Sequence, residues 1–201
     1  ALRKIADGLT APLSLGYPPN AGLPGLRASM AARLAKEQAT PTLGAEHVLV
    51  TCGAAGALTA FFRAVIEPGD EVLCPAPYFV EYAFYCGHFG GVLKPVPSRP
   101  PTFDLDVDAL LAAIGPRTRV LLLNSPNNPS GCIYPEPVLR KIGRKLDEIN
   151  ACRERPVYLL SDEPYRFLVY DGATVAPVLP LARFALVAGS FSKSLSMAGE
   201  R

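Results

Sequence analysis

Six short apolar runs, rich in β-branched residues and leucine, punctuate the chain at positions 47–52, 71–74, 91–96, 119–123, 157–161 and 184–188. Runs of this length and composition, without strict alternation, are what strands buried on both faces of a parallel sheet require. Between them, apolar residues recur at helical spacing over 26–38, 55–66, 79–89, 108–114 and 135–149. This alternation predicts an α/β fold with a mostly parallel sheet and helices on both faces. Pro24 and Pro135 sit where a first helical turn accepts proline, and Gly115-Pro116 closes a helix. The 21 prolines and 17 glycines gather at strand ends and connections, the junctions at which open α/β sheets bind ligands.

Composition narrows the choice of partner. With 201 residues, 49% of them hydrophobic, the chain can bury one substantial core. A formal charge of +2, with lysine and arginine in no run longer than two, gives no nucleic-acid or membrane-surface footprint and leaves a small molecule as the expected ligand. No apolar stretch approaches the roughly 20 residues of a membrane span. The five cysteines, Cys52, Cys74, Cys86, Cys132 and Cys152, show no metal-ligand spacing; an odd number without a signal peptide reads as a reducing, cytoplasmic setting and no metal site. The chain opens without methionine and stops at Gly199-Glu200-Arg201, which reads as a domain truncated at its C-terminus.

Four segments carry candidate chemistry. Ser190-Phe191-Ser192-Lys193 follows the last apolar run and places a lysine at the carboxyl end of a strand. Partial burial there lowers an ammonium's pKa and prepares an amine nucleophile; a solvated loop lysine is the alternative. Asp162, with Tyr165 three residues on, ends another run; a buried carboxylate needs a cationic partner, whereas a helix N-cap is the plainer reading. Asn124 to Gly131 forms a third strand-end loop in which Pro129 holds Asn128, either to present its amide or simply to make a tight turn. Gly53, Ala54 and Ala55 open a helix with small side chains, exposing amides that suit a phosphate or merely serving close packing. Arg201 is a further phosphate partner by its forked guanidinium, or a surface arginine.

Together these segments resemble the class I/II aminotransferases of the fold-type I pyridoxal-phosphate-dependent superfamily, and the resemblance covers nearly the whole chain. Ser190-Phe191-Ser192-Lys193 with Arg201 looks like that family's Schiff-base lysine and phosphate-binding arginine. Asn127-Asn128-Pro129-Ser130-Gly131 resembles its asparagine loop, with Ser130 where threonine is commoner. Asp162 and Tyr165 resemble its partners of the pyridinium nitrogen and the 3-oxygen, and Asn128 points to the same oxygen. By the same resemblance Tyr78 stacks on the cofactor ring, Gly53, Ala54, Ala55 and Ser190 meet the phosphate, and Tyr17 reaches a neighbour's phosphate across a homodimer interface.

The resemblance implies pyridoxal 5'-phosphate as cofactor and amino acids and 2-oxo acids as substrates, with Lys193 as both anchor and base in ping-pong transamination. It divides the chain into an N-terminal segment, 1–23, and an incomplete cofactor-binding large domain, 24–201. The substrate-carboxylate arginine belongs to a small domain beyond this sequence, so the chain alone is expected to be poorly active. The same cradle also serves C–S β-lyases and cofactor-sensing transcription regulators with an upstream DNA-binding domain.

Overall fold

The computed structural model describes residues 17–200. Its centre is one parallel sheet of β1 (Glu71–Ala76), β2 (Val92–Pro97), β3 (Thr118–Asn124), β4 (Tyr158–Asp162) and β5 (Ala185–Ala188), in the order β2-β1-β3-β4-β5. The helices are α1 (Pro24–Glu37), α2 (Gly53–Val65), α3 (Glu81–Gly87), α4 (Val107–Ala112), α5 (Glu136–Asn150) and the single turn α6 (Phe191–Ser194). Pro24 starts α1 and Pro135 precedes α5, in the positions their fixed φ favours.

All seven residues of β3 are buried, and the period of two divides them between two cores. Leu121 and Leu123 join Leu73 and Leu159 beneath α4 and α5, through Leu110, Leu139, Ile142 and Leu146. Val120 and Leu122 join Val72 and Leu160 beneath α2 and α3, through Leu58, Phe62, Tyr82 and Cys86. In α5 the buried positions 139, 142, 143 and 146 follow helical spacing. Position 143 admits no side chain: a Cβ there would collide with the carbonyl oxygen of Leu181, so Gly143 lets the helix lie against the 3-10 turn Leu179–Leu181 that leads into β5.

Five of the six expected strands form. The run at 47–52 does not: Ala45–His47 is a 3-10 turn, and the residues after it extend without a sheet partner. Its backbone polar groups are met otherwise, which is the physical reason. Arg27 donates from Nε to the Val48 carbonyl (2.8 Å) and from Nη2 to that of Ala45 (2.6 Å), and the Val50 amide donates to Ala21 (3.0 Å). Among the described residues β5 is hydrogen-bonded to β4 on one side and to no strand on the other.

Candidate active site

Parallel strands deliver their carboxyl ends to one edge, and the chain order reverses between β1 and β3, a switch point of the kind at which such sheets bind ligands. Asn124 ends β3 and pairs in register with Asp162 at the end of β4, which pairs with Ala188 at the end of β5. Cross-links then fix that edge. Asn124 donates from Nδ2 to the Asp162 carbonyl (2.8 Å) and accepts on Oδ1 from the Asn128 amide (2.6 Å). The Glu163 amide donates to Ala188 (2.7 Å).

In the asparagine loop the two neighbours divide the work. Buried Asn127 makes the turn, accepting from the amide and hydroxyl of Ser130 (3.2 and 2.8 Å). Half-buried Asn128 makes no side-chain hydrogen bond among the described residues, which leaves its amide to a ligand. Tyr165 is likewise half-buried and its hydroxyl is without a described partner.

Asp162 has the most telling surroundings. No helix opens after it, so it is not an N-cap. It is 4% exposed; Oδ2 accepts from the phenol of Tyr82 at 2.5 Å, and Oδ1 is buried with no partner among the described residues. Burial raises its pKa to about 6, the Tyr82 hydrogen bond opposes that rise, and the Glu163 carboxylate adds to it. A buried acceptor without a donor is costly, and a protonated ring nitrogen is a donor of the required charge. The phenol of Tyr82 is held well above its ordinary value, first by burial and next by Asp162, so it stays neutral and donating.

Next to Asp162, Glu163 is also buried but fully partnered. It accepts from Ser161 Oγ (2.8 Å), Gln38 Nε2 (2.8 Å) and Arg166 Nη1 (2.7 Å). Gln38, wholly buried at the end of α1, also accepts on Oε1 from the Val178 amide (2.7 Å). This network ties the N-terminal helix to the strand end that carries Asp162.

The β5 side is open. Ser190 caps α6, its Oγ accepting from the Ser192 amide (3.0 Å) and lying 2.8 Å from Ser192 Oγ. Lys193 is exposed on that turn, contrary to the burial expected of it. The reason is that β5 ends at Ala188 and α6 lies beyond the sheet's cover. The first turn of α2 has no side-chain cap, which leaves the amides of Ala54 and Ala55 without intrahelical partners. Gly53, Ser190 and Ser192 line one cavity of about 430 Å³ that runs from this helix end between β5, α1 and residues 48–51. An uncapped helix N-terminus beside two hydroxyls suits an anion such as phosphate. Lys193, Asp162 and Asn128 do not line that cavity.

Tyr78 is half-buried, packed against the α2–α3 core, and Phe79 stands edge-on to Tyr82 with ring centroids 5.5 Å apart. Tyr17 is fully exposed, and Arg201 lies outside the described residues. Among the described residues no group of three or more metal-ligating side chains converges, and no helix is long and apolar enough to cross a membrane. Tyr82 and the Glu163 network are absent from the sequence-based set. Tyr82 lies within a helical apolar pattern, where its hydroxyl gives no local signal.

The model of the aminotransferase class I and II family matches residues 2–201. The chain belongs to that family. It is 37% identical over 203 residues to a probable aspartate/prephenate aminotransferase of Thermus aquaticus, covering 99% of this chain and 49% of the relative. It is 39% identical over 160 residues to an arginine–pyruvate transaminase of Pseudomonas aeruginosa, covering 78% and 39%. An aminotransferase structure from Eubacterium rectale superposes with a TM-score of 0.89 at 36% identity, over all of this chain and 51% of that one. The chain thus spans about half the length of the relatives it matches. The parallel α/β sheet agrees with this membership.

Proposed function

We propose that the protein is a pyridoxal-phosphate-dependent aminotransferase that moves an amino group between an amino acid and a 2-oxo acid in two half-reactions. One observation carries this reading: Asp162 Oδ1 is buried and unpartnered at the sheet edge that also bears Lys193. When bound, pyridoxal phosphate supplies an aldehyde that condenses with amines and a protonated ring that accepts the electron pair left when an α-proton departs.

The chain's own residues do the rest. Asp162 accepts the ring N–H and, as an anion, keeps that nitrogen protonated. Asn128 and Tyr165 offer donors to the ring 3-oxygen, and Tyr78 offers an aromatic face. The amides of Gly53, Ala54 and Ala55 with the hydroxyl of Ser190 hold the phosphate, joined by Arg201 and by Tyr17 of a second copy. Lys193 anchors the cofactor through Nζ and, once displaced by substrate, moves the proton at the substrate α-carbon. Residues 24–201 act as the cofactor domain and 1–23 as the segment that reaches a partner in a cytoplasmic homodimer. The names of the relatives, aspartate/prephenate and arginine–pyruvate, differ in substrate, so family membership leaves the amino acid open and groups outside the cofactor cradle choose it.

The test uses the intact protein. With pyridoxal phosphate it should gain a long-wavelength absorbance band, and borohydride followed by peptide mapping should place the label on Lys193. Adding single amino acids should then bleach the band with release of one equivalent of 2-oxo acid, and a second 2-oxo acid should restore it. No band at all overturns the cofactor assignment. A band without this half-reaction overturns the transaminase assignment and favours a lyase or a cofactor sensor.

A further inference from the structure

The geometry points to Tyr82 as a positioning residue that sets which oxygen of Asp162 meets the ligand: its phenol occupies Oδ2 at 2.5 Å and leaves Oδ1 as the free acceptor. This rests on the pyridoxal-phosphate reading above, and it concerns a side chain that acts through Asp162.

Three observations converge on it. First, the Asp162 backbone is already immobilised on both sides, by Asn124 Nδ2 on its carbonyl and by the strand register with β3 and β5. Only the carboxylate's own torsion is left to be chosen. Second, Tyr82 is rigidly seated: it is 1% exposed, its ring is braced edge-on by Phe79, and its amide bonds to the Phe79 carbonyl (3.1 Å). A phenol with two torsions, packed in this way, holds its hydroxyl in one place. Third, Oδ1 is the one side-chain oxygen buried without a partner among the described residues. A carboxylate free to rotate would exchange its two oxygens; pinned at Oδ2, it presents one acceptor in one direction, which preorganises a ligand N–H bond.

The hydrogen bond also bears on charge. The groups facing Asp162 are Tyr82 from α3, Cys74 from β1 and Glu163 from its own segment, with Tyr165 acting on Tyr82. Of these, Tyr82 stabilises the anion by donating to it, and Glu163 opposes it. Cys74 is held protonated by burial, with Asp162 adding to that effect. Removing the phenol oxygen therefore leaves Asp162 both freer to turn and harder to ionise.

The experiment is Tyr82→Phe in the intact protein, with two readings. In the cofactor-free protein, carbon-detected NMR of the Asp162 carboxyl should show it titrating at least about one unit higher than in wild type. Affinity for pyridoxal phosphate should fall about tenfold or more, the size expected for a hydrogen bond to a charged group. In an Asp162→Asn background the same Tyr82→Phe change should cost no further affinity, which separates action through Asp162 from a packing defect. Equal affinity of wild type and Tyr82→Phe, an unmoved carboxyl titration, or an undiminished cost in the Asp162→Asn background would each overturn the proposal. Failure of the wild-type protein itself to bind the cofactor overturns the reading on which the proposal rests, and the proposal with it.

Discussion

On the β3–β4 side of the site, Asn124, Asn127, Asp162 and Glu163 are buried, cross-linked strand to strand, and backed by a leucine-rich core on either face. On the β5 side, Ser190 and the uncapped start of α2 border a cavity, and Lys193, the residue expected to do the chemistry, lies exposed on the turn α6 outside that lining. The first side is finished by the sheet itself, with direction and charge built in before any ligand arrives. The second presents groups that a ligand can organise. On the proposed function, a site made in this way puts its orientation in the buried part and its amine in the exposed part, where an anchor that must let go and take a proton has room.

That contrast is open to attack by substitution. The largest effect is expected at Lys193→Ala, which should lower kcat of the cofactor-loaded intact protein by at least about 10⁴, or roughly 5 kcal/mol in the barrier. Its urea midpoint should stay put because the residue is exposed. A matching loss of stability would mean that the β5 side is as structural as the other. Next comes Leu122→Ala, at a wholly buried position in β3, which should cost 2 to about 5 kcal/mol in denaturant unfolding. Leu195→Ala, past α6 and 58% exposed, should change stability by less than about 0.5 kcal/mol; equal costs would erase the distinction.

Asp162→Asn sharpens it. In the cofactor-free protein the folded state raises this carboxyl from 3.8 to about 6. The folded state therefore holds the proton more tightly than the unfolded state. Stability is undiminished below the unfolded value and falls as pH rises from about 4 to about 6. The asparagine variant lacks that penalty and should be more stable than wild type by up to roughly 3 kcal/mol above pH 6, with the gap closing below pH 4. A gap that does not change with pH would refute the account of a charged group buried in readiness for a partner. The most local effect belongs to Ser190→Ala. Loss of the cap on α6 should cost no more than about 1 kcal/mol and should show as faster hydrogen exchange confined to residues 191–194.

Much of this was legible in the chain. The apolar-rich runs at 71–74, 119–123 and 157–161 became β1, β3 and β4, as burial on both faces of a parallel sheet requires. The run at 47–52 is similarly apolar, yet it pairs with no strand among the described residues, and the guanidinium that takes its Val48 carbonyl stands 21 residues upstream, at Arg27. Local pattern carries no information about such a distant donor. Asp162 was legible because a carboxylate at the end of an apolar strand is conspicuous; Tyr82 was not, because within α3 its ring satisfies the apolar pattern and only the fold shows where the hydroxyl points. Lys193 was singled out from the sequence, but its exposure was misjudged. Adjacency to a buried strand says nothing about cover beyond the strand's end.

The amide of Gln38 has a consequence for the order of assembly. Its partners lie 125 and 140 positions later in the chain, at Glu163 and Val178. During synthesis at roughly 5–20 residues per second, the end of α1 therefore waits on the order of ten seconds before the groups that bury it exist. For that interval the nascent chain carries a helix end with nowhere to dock. Protease digestion of ribosome-bound chains halted before and after residue 178 has emerged should show when that end closes.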